Sequence, residues 1–237
     1  MTDMIQTSED GIRALPVPTA GQLRAVFFDF DGVILESAEI KDDAFRELFS
    51  HLPEHHERIL EHHHRHLGRS RCEKFEWIYE ELLGLPLEKS ESTALGRRFS
   101  DLVRARMLDC PYTPGVISLL DSLSDRVDCF VVSGTPQEEL EALVGERGLA
   151  RYFRAVVGSP PRKSESFQAL FSRYDLPPRE VLAIGDALSD YEAAMSAGVR
   201  FVARISSSSR QDWSHLSVVT VRSLDELMEP LGLLTDK

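Results

Sequence analysis

The 237-residue sequence predicts an α/β fold, a doubly wound parallel sheet with a block of helices inserted into it. Three observations carry that expectation. Short unbroken apolar runs recur, each closed by a turn, which is the pattern of strands buried on both faces. Segments with helical spacing lie between most of them, and such alternation indicates a parallel sheet with crossover helices. Between about Ser37 and Cys110 the runs stop, and only helical patterns remain.

In chain order, residues 1–22 mix Ser, Thr, Pro and Gly without periodicity and read as a loose leader. The first strand follows as Arg24-Ala25-Val26-Phe27-Phe28-Asp29 and ends abruptly in Asp-Phe-Asp-Gly. Helices are expected at 42–49, 54–66, 72–83 and 88–108, broken by Pro53, Gly68 and Gly84-Leu85-Pro86. Another helix spans 115–123. Strands at 127–132, 154–157, 181–184 and 201–203 then alternate with helices at 137–144, 164–174 and 188–197. Val218-Val219-Thr220-Val221 is a sixth strand, and 206–209 is a short flexible loop. The expected division is a leader (1–22), a core (23–36 and 111–237) and a helical lobe (37–110).

Composition narrows the function. Apolar residues make up 42% and charged residues 28%, ordinary for a globular chain and too apolar for a disordered one. The balance of 27 basic and 39 acidic side chains leaves −12, which argues against nucleic acid, whose binders need a basic face. Cys72, Cys110 and Cys129 show no Cys-x-x-Cys spacing and read as thiols of a reducing compartment. No signal peptide is recognised, and no stretch approaches the ~20 apolar residues of a membrane span. The expected address is the cytoplasm, away from membranes.

Chemistry-bearing residues gather where strands end. Asp29-Phe30-Asp31-Gly32-Val33 closes the first strand, at the end where open α/β sheets hold ligands. Two clustered carboxylates raise each other's pKa unless a cation neutralises them, and Mg2+ with its oxygen preference suits that task. Near such an ion a carboxylate can attack phosphorus; the bland alternative is a solvated Asp-x-Asp turn. Ser133-Gly134-Thr135 follows the second strand, and Thr135-Pro136-Gln137-Glu138 has the form of a capping box. Amides and the Ser133 hydroxyl there can cradle phosphate, or Thr135 simply caps a helix. Lys163, after the third strand, can compensate charge on a transferring phosphoryl group or stand exposed in its loop beside Arg162. Asp186 ends the fourth strand and Asp190 lies four residues on, either completing an acidic cage or forming a surface acidic turn.

Four such motifs, in this order on successive strands, resemble the haloacid dehalogenase-like hydrolases. The likeness is to the branch with a helical cap between the first two motifs, which includes β-phosphoglucomutase-like and phosphoglycolate-phosphatase-like proteins. It runs from about Leu23 to the C-terminus. It implies Asp29 as nucleophile, Asp31 as general acid/base, and Ser133, Gly134 and Lys163 at the phosphoryl group. It also implies Mg2+ on Asp29, Asp186 and the main-chain carbonyl of Asp31, with Asp190 supporting. Where the family commonly has Asp after the first motif and Lys-Pro in the third, this chain has Glu36 and Lys163-Ser164. Metal-free dehalogenases on this fold lack an acid at the position of Asp31, so phosphoryl transfer is favoured.

By the same resemblance the helical lobe is a cap that closes over the site. Gly68-Arg69-Ser70-Arg71 resembles the substrate-facing loop of such caps, so Arg69 and Arg71 are expected to hold the leaving group. The alternative there is a helix capped by Ser70 with two solvated arginines. Seven of the eight histidines fall between His51 and His66. They read as a solvated, pH-sensitive face; His62 and His66, one turn apart, are an alternative zinc pair. Trp77 and Tyr79 are expected in the interior of the lobe. The resulting expectation is a Mg2+-dependent phosphatase acting through an aspartyl-phosphate on a small phosphorylated substrate, with a sugar phosphate foremost. A phosphosugar mutase and a non-catalytic binding protein on the same fold are the alternatives.

Overall fold

Ala25–Phe28 (β1) carries no polar side chain and is wholly buried, so it can only be a central strand. The computed structural model describes residues 19–233 except 208 and 210. Residues 1–18 of the expected leader therefore lie outside the described residues, as does 208 of the 206–209 loop. On one side β1 pairs with Asp128–Pro136 (β2), and β2 with Ala155–Ser159 (β3). On the other it pairs with Val181–Gly185 (β4), then Arg200–Arg204 (β5) and Val219–Val221 (β6). All pairs are parallel and the order is β3-β2-β1-β4-β5-β6, so the sixth strand forms as expected.

Successive side chains of a strand leave on opposite faces, and β1 seeds a core on each. Ala25 and Phe27 point toward Lys163–Tyr174 (α7) and Leu188–Ala197 (α8), where Phe167, Leu170, Phe171 and Ala194 are buried. The Phe27 ring lies 5.3 Å from Phe130, 4.9 Å from Phe167 and 5.9 Å from Phe171. Val26 and Phe28 join the second core with the inner faces of Val116–Leu123 (α5) and Gln137–Glu146 (α6).

Between β1 and β2 come Ala38–Leu48 (α1), His56–Arg65 (α2), Arg71–Trp77 (α3) and Lys89–Asp109 (α4). Phe45, Phe75 and Phe99 form their interior, with Phe45 and Phe99 rings 5.0 Å apart. That interior is continuous with the core on the Val26 face. Trp77 and Tyr79 pack against it as expected, Trp77 stacked 3.8 Å from the ring of His62. Some bounds differ from those the sequence suggests. The first helix begins at Ala38, and the third turns π-helical over Ile78–Leu83 before Gly84 (φ 67°) ends it. Strand β2 runs on to Pro136, so Thr135 caps nothing and the expected capping box does not form. No helix among the described residues is long and apolar enough to cross a membrane.

Phe27 holds the α7/α8 face together, so Phe27→Ala should cost about 3–5 kcal/mol in urea unfolding, the usual range for a buried Phe. A loss below about 1 kcal/mol would show that this face collapses around the gap.

Candidate active site

Parallel order sends the carboxyl ends of β1 to β4 to one edge of the sheet, and every core motif sits there. Asp29 follows β1 directly, fixed by its N–H donating to the Ile184 carbonyl of β4 at 2.9 Å. Lys163 is the first residue of α7, and Asp190 lies in the first turn of α8, its carboxylate accepting from the Ala187 N–H at 3.1 Å. Lys163 Nζ lies 2.9 Å from Asp29 Oδ1 and contacts Asp190 Oδ1. Its approach to Asp29 is off the hydrogen-bonding direction, which leaves that buried oxygen paired by charge but without an aligned donor. Carboxylate oxygens of Asp29, Asp186 and Asp190 lie within 4.8 Å of one another.

Burial pushes Asp29 up to about 7, helped by Asp190 and Asp31 and opposed by Lys163. Burial also raises Asp186 well above the carboxylate range, with Asp29 and Asp190 adding to it. For Lys163, burial alone would lower the pKa, but Asp190 and Asp29 outweigh it and raise it. Three clustered carboxylates, two of them paired with the single Lys163 ammonium, leave a surplus of negative charge. A hard cation with oxygen ligands fits that donor set.

Asp31, two residues from Asp29, is held elsewhere. Its carboxylate accepts from Ser37 Oγ at 2.7 Å and Thr135 Oγ1 at 3.0 Å, and pairs with Lys41. Burial would raise it, but the Lys41 ammonium and these hydrogen bonds prevail and hold it below its ordinary value. The turn that follows Asp31 needs Gly32: its φ is 73°, and a Cβ there would strike the Asp186 carboxylate. Glu36 pairs with Arg204 of β5, whose Nη1 also donates to the Gly32 carbonyl at 3.0 Å. Lys41, Ser37, Thr135 and Arg204 escaped the sequence reading. Thr135 and Arg204 meet partners 104 and 168 residues away, and Thr135 stood out only as a cap residue; Ser37 and Lys41 lie six and ten residues past Asp31 but carry no motif of their own.

Ser133 is buried with its Oγ accepting from the Thr135 N–H at 3.1 Å, which leaves its O–H free to donate. The helical insert comes down on this motif by main chain: a Cβ on Gly134 would lie 2.5 Å from the Gly68 carbonyl oxygen. Beside it the Leu67 carbonyl accepts from Ser189 Oγ at 2.9 Å. A cleft of about 290 Å³ opens next to this contact, lined among others by Arg69, Ser70, Glu73, Arg162, Lys163 and Glu192. Arg69 is thus at the cleft, 4.0 Å from Glu73. Arg71 corrects the expectation. It is only 6% exposed, does not line the cleft, and binds Glu139 of α6 at 2.8 Å and Ser100 at 2.9 Å over the Phe99 ring. Ser70 accepts from the Cys72 N–H at 3.3 Å and so caps α3.

The histidines do not share one solvated face. His63 is buried, accepting from Lys74 Nζ at Nδ1 (2.8 Å) with Nε2 3.4 Å from Asp42, which also accepts from His64 Nε2 at 2.8 Å. Burial lowers Lys74 to about 7, with Lys41 and Arg71 adding to it against Asp31 and Asp42. Burial first, and then the Lys74 charge, hold His63 well below its ordinary value. His62 and His66 rings lie 4.1 Å apart, but His66 Nδ1 donates to the His62 carbonyl at 2.9 Å. Among the described residues, the group of three or more side chains fit to hold a metal is Asp29, Asp186 and Asp190.

The model of the haloacid dehalogenase-like hydrolase family matches residues 23–198, most of the chain. A phosphorylated carbohydrates phosphatase of Thermotoga maritima is 27% identical over 187 residues, 75% of this chain and 82% of that protein. Phosphoglycolate phosphatase 1 of Pseudomonas aeruginosa is 32% identical over 96 residues, 38% of this chain. The match spans only 35% of that relative's length. Among solved structures, CbbY from Rhodobacter sphaeroides in complex with phosphate superposes with a TM-score of 0.71 at 20% identity. It covers 89% of this chain and 99% of that one, a likeness of fold.

Lys74 generates a test of these electrostatics. From about pH 7 to its ordinary 10.5, the unfolded chain keeps a proton on Lys74 that the folded chain lacks. Stability contributed here therefore rises with pH across that window. In Lys74→Met that rise should be missing when denaturation midpoints are compared between about pH 7 and 10. A variant whose midpoint climbs as steeply as wild type would contradict the burial effect.

Proposed function

The chain belongs to the haloacid dehalogenase-like hydrolases, and on that premise we propose that it is a Mg2+-dependent phosphatase of small phosphorylated metabolites. The observation that carries this reading is the cluster of Asp29, Asp186 and Asp190, the first and last buried and paired with the one Lys163 ammonium, with Asp31 kept apart from it. Asp29 is the nucleophile. One of its carboxylate oxygens attacks phosphorus, an aspartyl-phosphate (a mixed anhydride) forms, and the bond to the leaving oxygen breaks. Asp31, which must carry a proton against the pull of Lys41 to do so, protonates that leaving oxygen and then takes a proton from the water that attacks the aspartyl-phosphate. Inorganic phosphate departs, Asp29 is restored, and Asp31 is again the acid.

Lys163 bridges the nucleophile and the phosphoryl oxygens, and the Ser133 hydroxyl and Gly134 amide hold the remaining oxygens. Asp29, Asp186 and the Asp31 main-chain carbonyl would hold Mg2+, with Asp190 acting through Lys163. When bound, the ion neutralises the crowded carboxylates, keeps Asp29 ionised and offsets charge on the phosphoryl group. Asp31 is the acid that a metal-free dehalogenase would not need. Residues 37–110 act as a cap over the site, attached to a core of 23–36 and 111–237. The acidic chain, with three unpaired cysteines, suits a reducing cytoplasm. A sugar phosphate is favoured as substrate because the carbohydrate phosphatase relative aligns along most of its length, whereas the phosphoglycolate phosphatase aligns over a third.

The test is release of inorganic phosphate from a panel of phosphorylated metabolites with Mg2+. Asp29→Asn should lower kcat by about a thousandfold or more while the far-ultraviolet spectrum is unchanged, since an amide is a poor nucleophile. Excess chelator should stop turnover, and Asp186→Ala should raise the Mg2+ needed for half-maximal rate by roughly tenfold or more. Full turnover in chelator would sink the metal assignment, and near-wild-type turnover of Asp29→Asn would sink the nucleophile.

A further inference from the structure

We propose that Glu139 cancels the charge of Arg71, so that the site selects leaving groups without a second anionic group. This rests on the phosphatase reading and names the substrate class within it. The insert carries Lys41, Arg69 and Arg71 toward the core and Lys74 in its interior, and each already faces an acid. Lys41 pairs with Asp31, Arg71 with Glu139, and Arg69 with Glu73. Lys74 reaches Asp42 through the His63 ring. None of these cations is left in surplus for the far end of a substrate.

Arg71 is the sharpest case. It adjoins Arg69 and Ser70, which line the cleft, and its planar fork is the group best shaped to grip a second phosphate or a carboxylate. Here both ends of the fork are spent. Nη2 donates to Glu139 Oε1 at 2.8 Å, Nη1 donates to Ser100 Oγ at 2.9 Å, and Ser100 Oγ donates to Glu139 Oε2 at 2.5 Å. The ring is closed and its charges are 6% and 14% exposed. An incoming anion would have to pull Arg71 away and leave the half-buried Glu139 carboxylate with only the Ser100 hydroxyl as partner, which is unfavourable. An uncharged polyol makes no such demand. The cleft offers it the hydroxyls of Ser70, Ser164, Ser189 and Ser196, and balances Arg69 and Arg162 with Glu73 and Glu192.

The experiment measures kcat/KM of the full-length protein with Mg2+ on four probes. Hexose monophosphate has an uncharged leaving group, phosphoglycolate a carboxylate, and hexose bisphosphate a second phosphate; p-nitrophenyl phosphate is the generic control. Wild type should favour the hexose monophosphate over both anionic probes by roughly tenfold or more, a difference of ~1.4 kcal/mol in barrier. In Glu139→Gln, which frees the guanidinium, that ratio should shrink by about the same factor, and in the charge-conserving Glu139→Asp it should persist. A wild type that hydrolyses p-nitrophenyl phosphate but prefers the anionic probes, or treats all alike, overturns the inference and leaves the phosphatase reading standing. Release of phosphate from none of the four overturns the phosphatase reading itself. A folded Glu139→Gln with the wild-type ratio removes Glu139 from the account; if that variant does not fold, the wild-type ratio alone decides.

Discussion

The ion pair between Lys163 and the carboxylates of Asp29 and Asp190 is the constraint on which the site depends. Three acids crowded at a buried strand edge repel one another, and each is there only because the sheet delivers it. Asp29 rides on β1, Asp186 on β4, and Asp190 and Lys163 on the first turns of α8 and α7. Lys163 offsets part of that charge, and the remainder sets the affinity for a cation. The same economy explains Gly32. Just after Asp31 its positive φ lets the chain turn beneath the Asp186 carboxylate, where any side chain would collide with it.

Asp29 and Asp31 sit in different surroundings. Burial among like charges raises the first to about 7, whereas an ammonium and two hydroxyls hold the second down. Two residues of separation thus give opposite electrostatic environments. The first belongs to the sheet and shares its edge with Asp186 and Asp190. The second is served from the helical insert, because Ser37 and Lys41 come from the start of α1.

What the sequence made legible follows from distance along the chain. Buried strands announce themselves through runs such as Val26-Phe27-Phe28, and once they are placed, Asp29, Lys163 and Asp186 must share an edge. Contacts between remote segments leave no such trace. Lys41 meets Thr135 and Arg204 meets Glu36, pairs 94 and 168 residues apart. Arg71 shows both sides of this. Its loop, singled out by the resemblance alone, lies beside Gly134 and Lys163, but Glu139, 68 residues on, draws the guanidinium inward. The capping box at Thr135 does not form for a related reason: β2 runs on through that residue, and its hydroxyl donates to Asp31, 104 residues away.

The apolar interior of the insert, with Phe45, Phe75 and Phe99, runs without a break into the core on the Val26 face of the sheet. Modularity is limited by that continuity. Replacing the insert with one from a relative would exchange half of a shared interior, and the seam around Ile34, Leu35 and Ile40 would have to be repacked with it. Diversification of such a chain is therefore easiest at the polar tip of its loop, where Arg69 and Ser70 reach the cleft, and hardest at the root of the lobe.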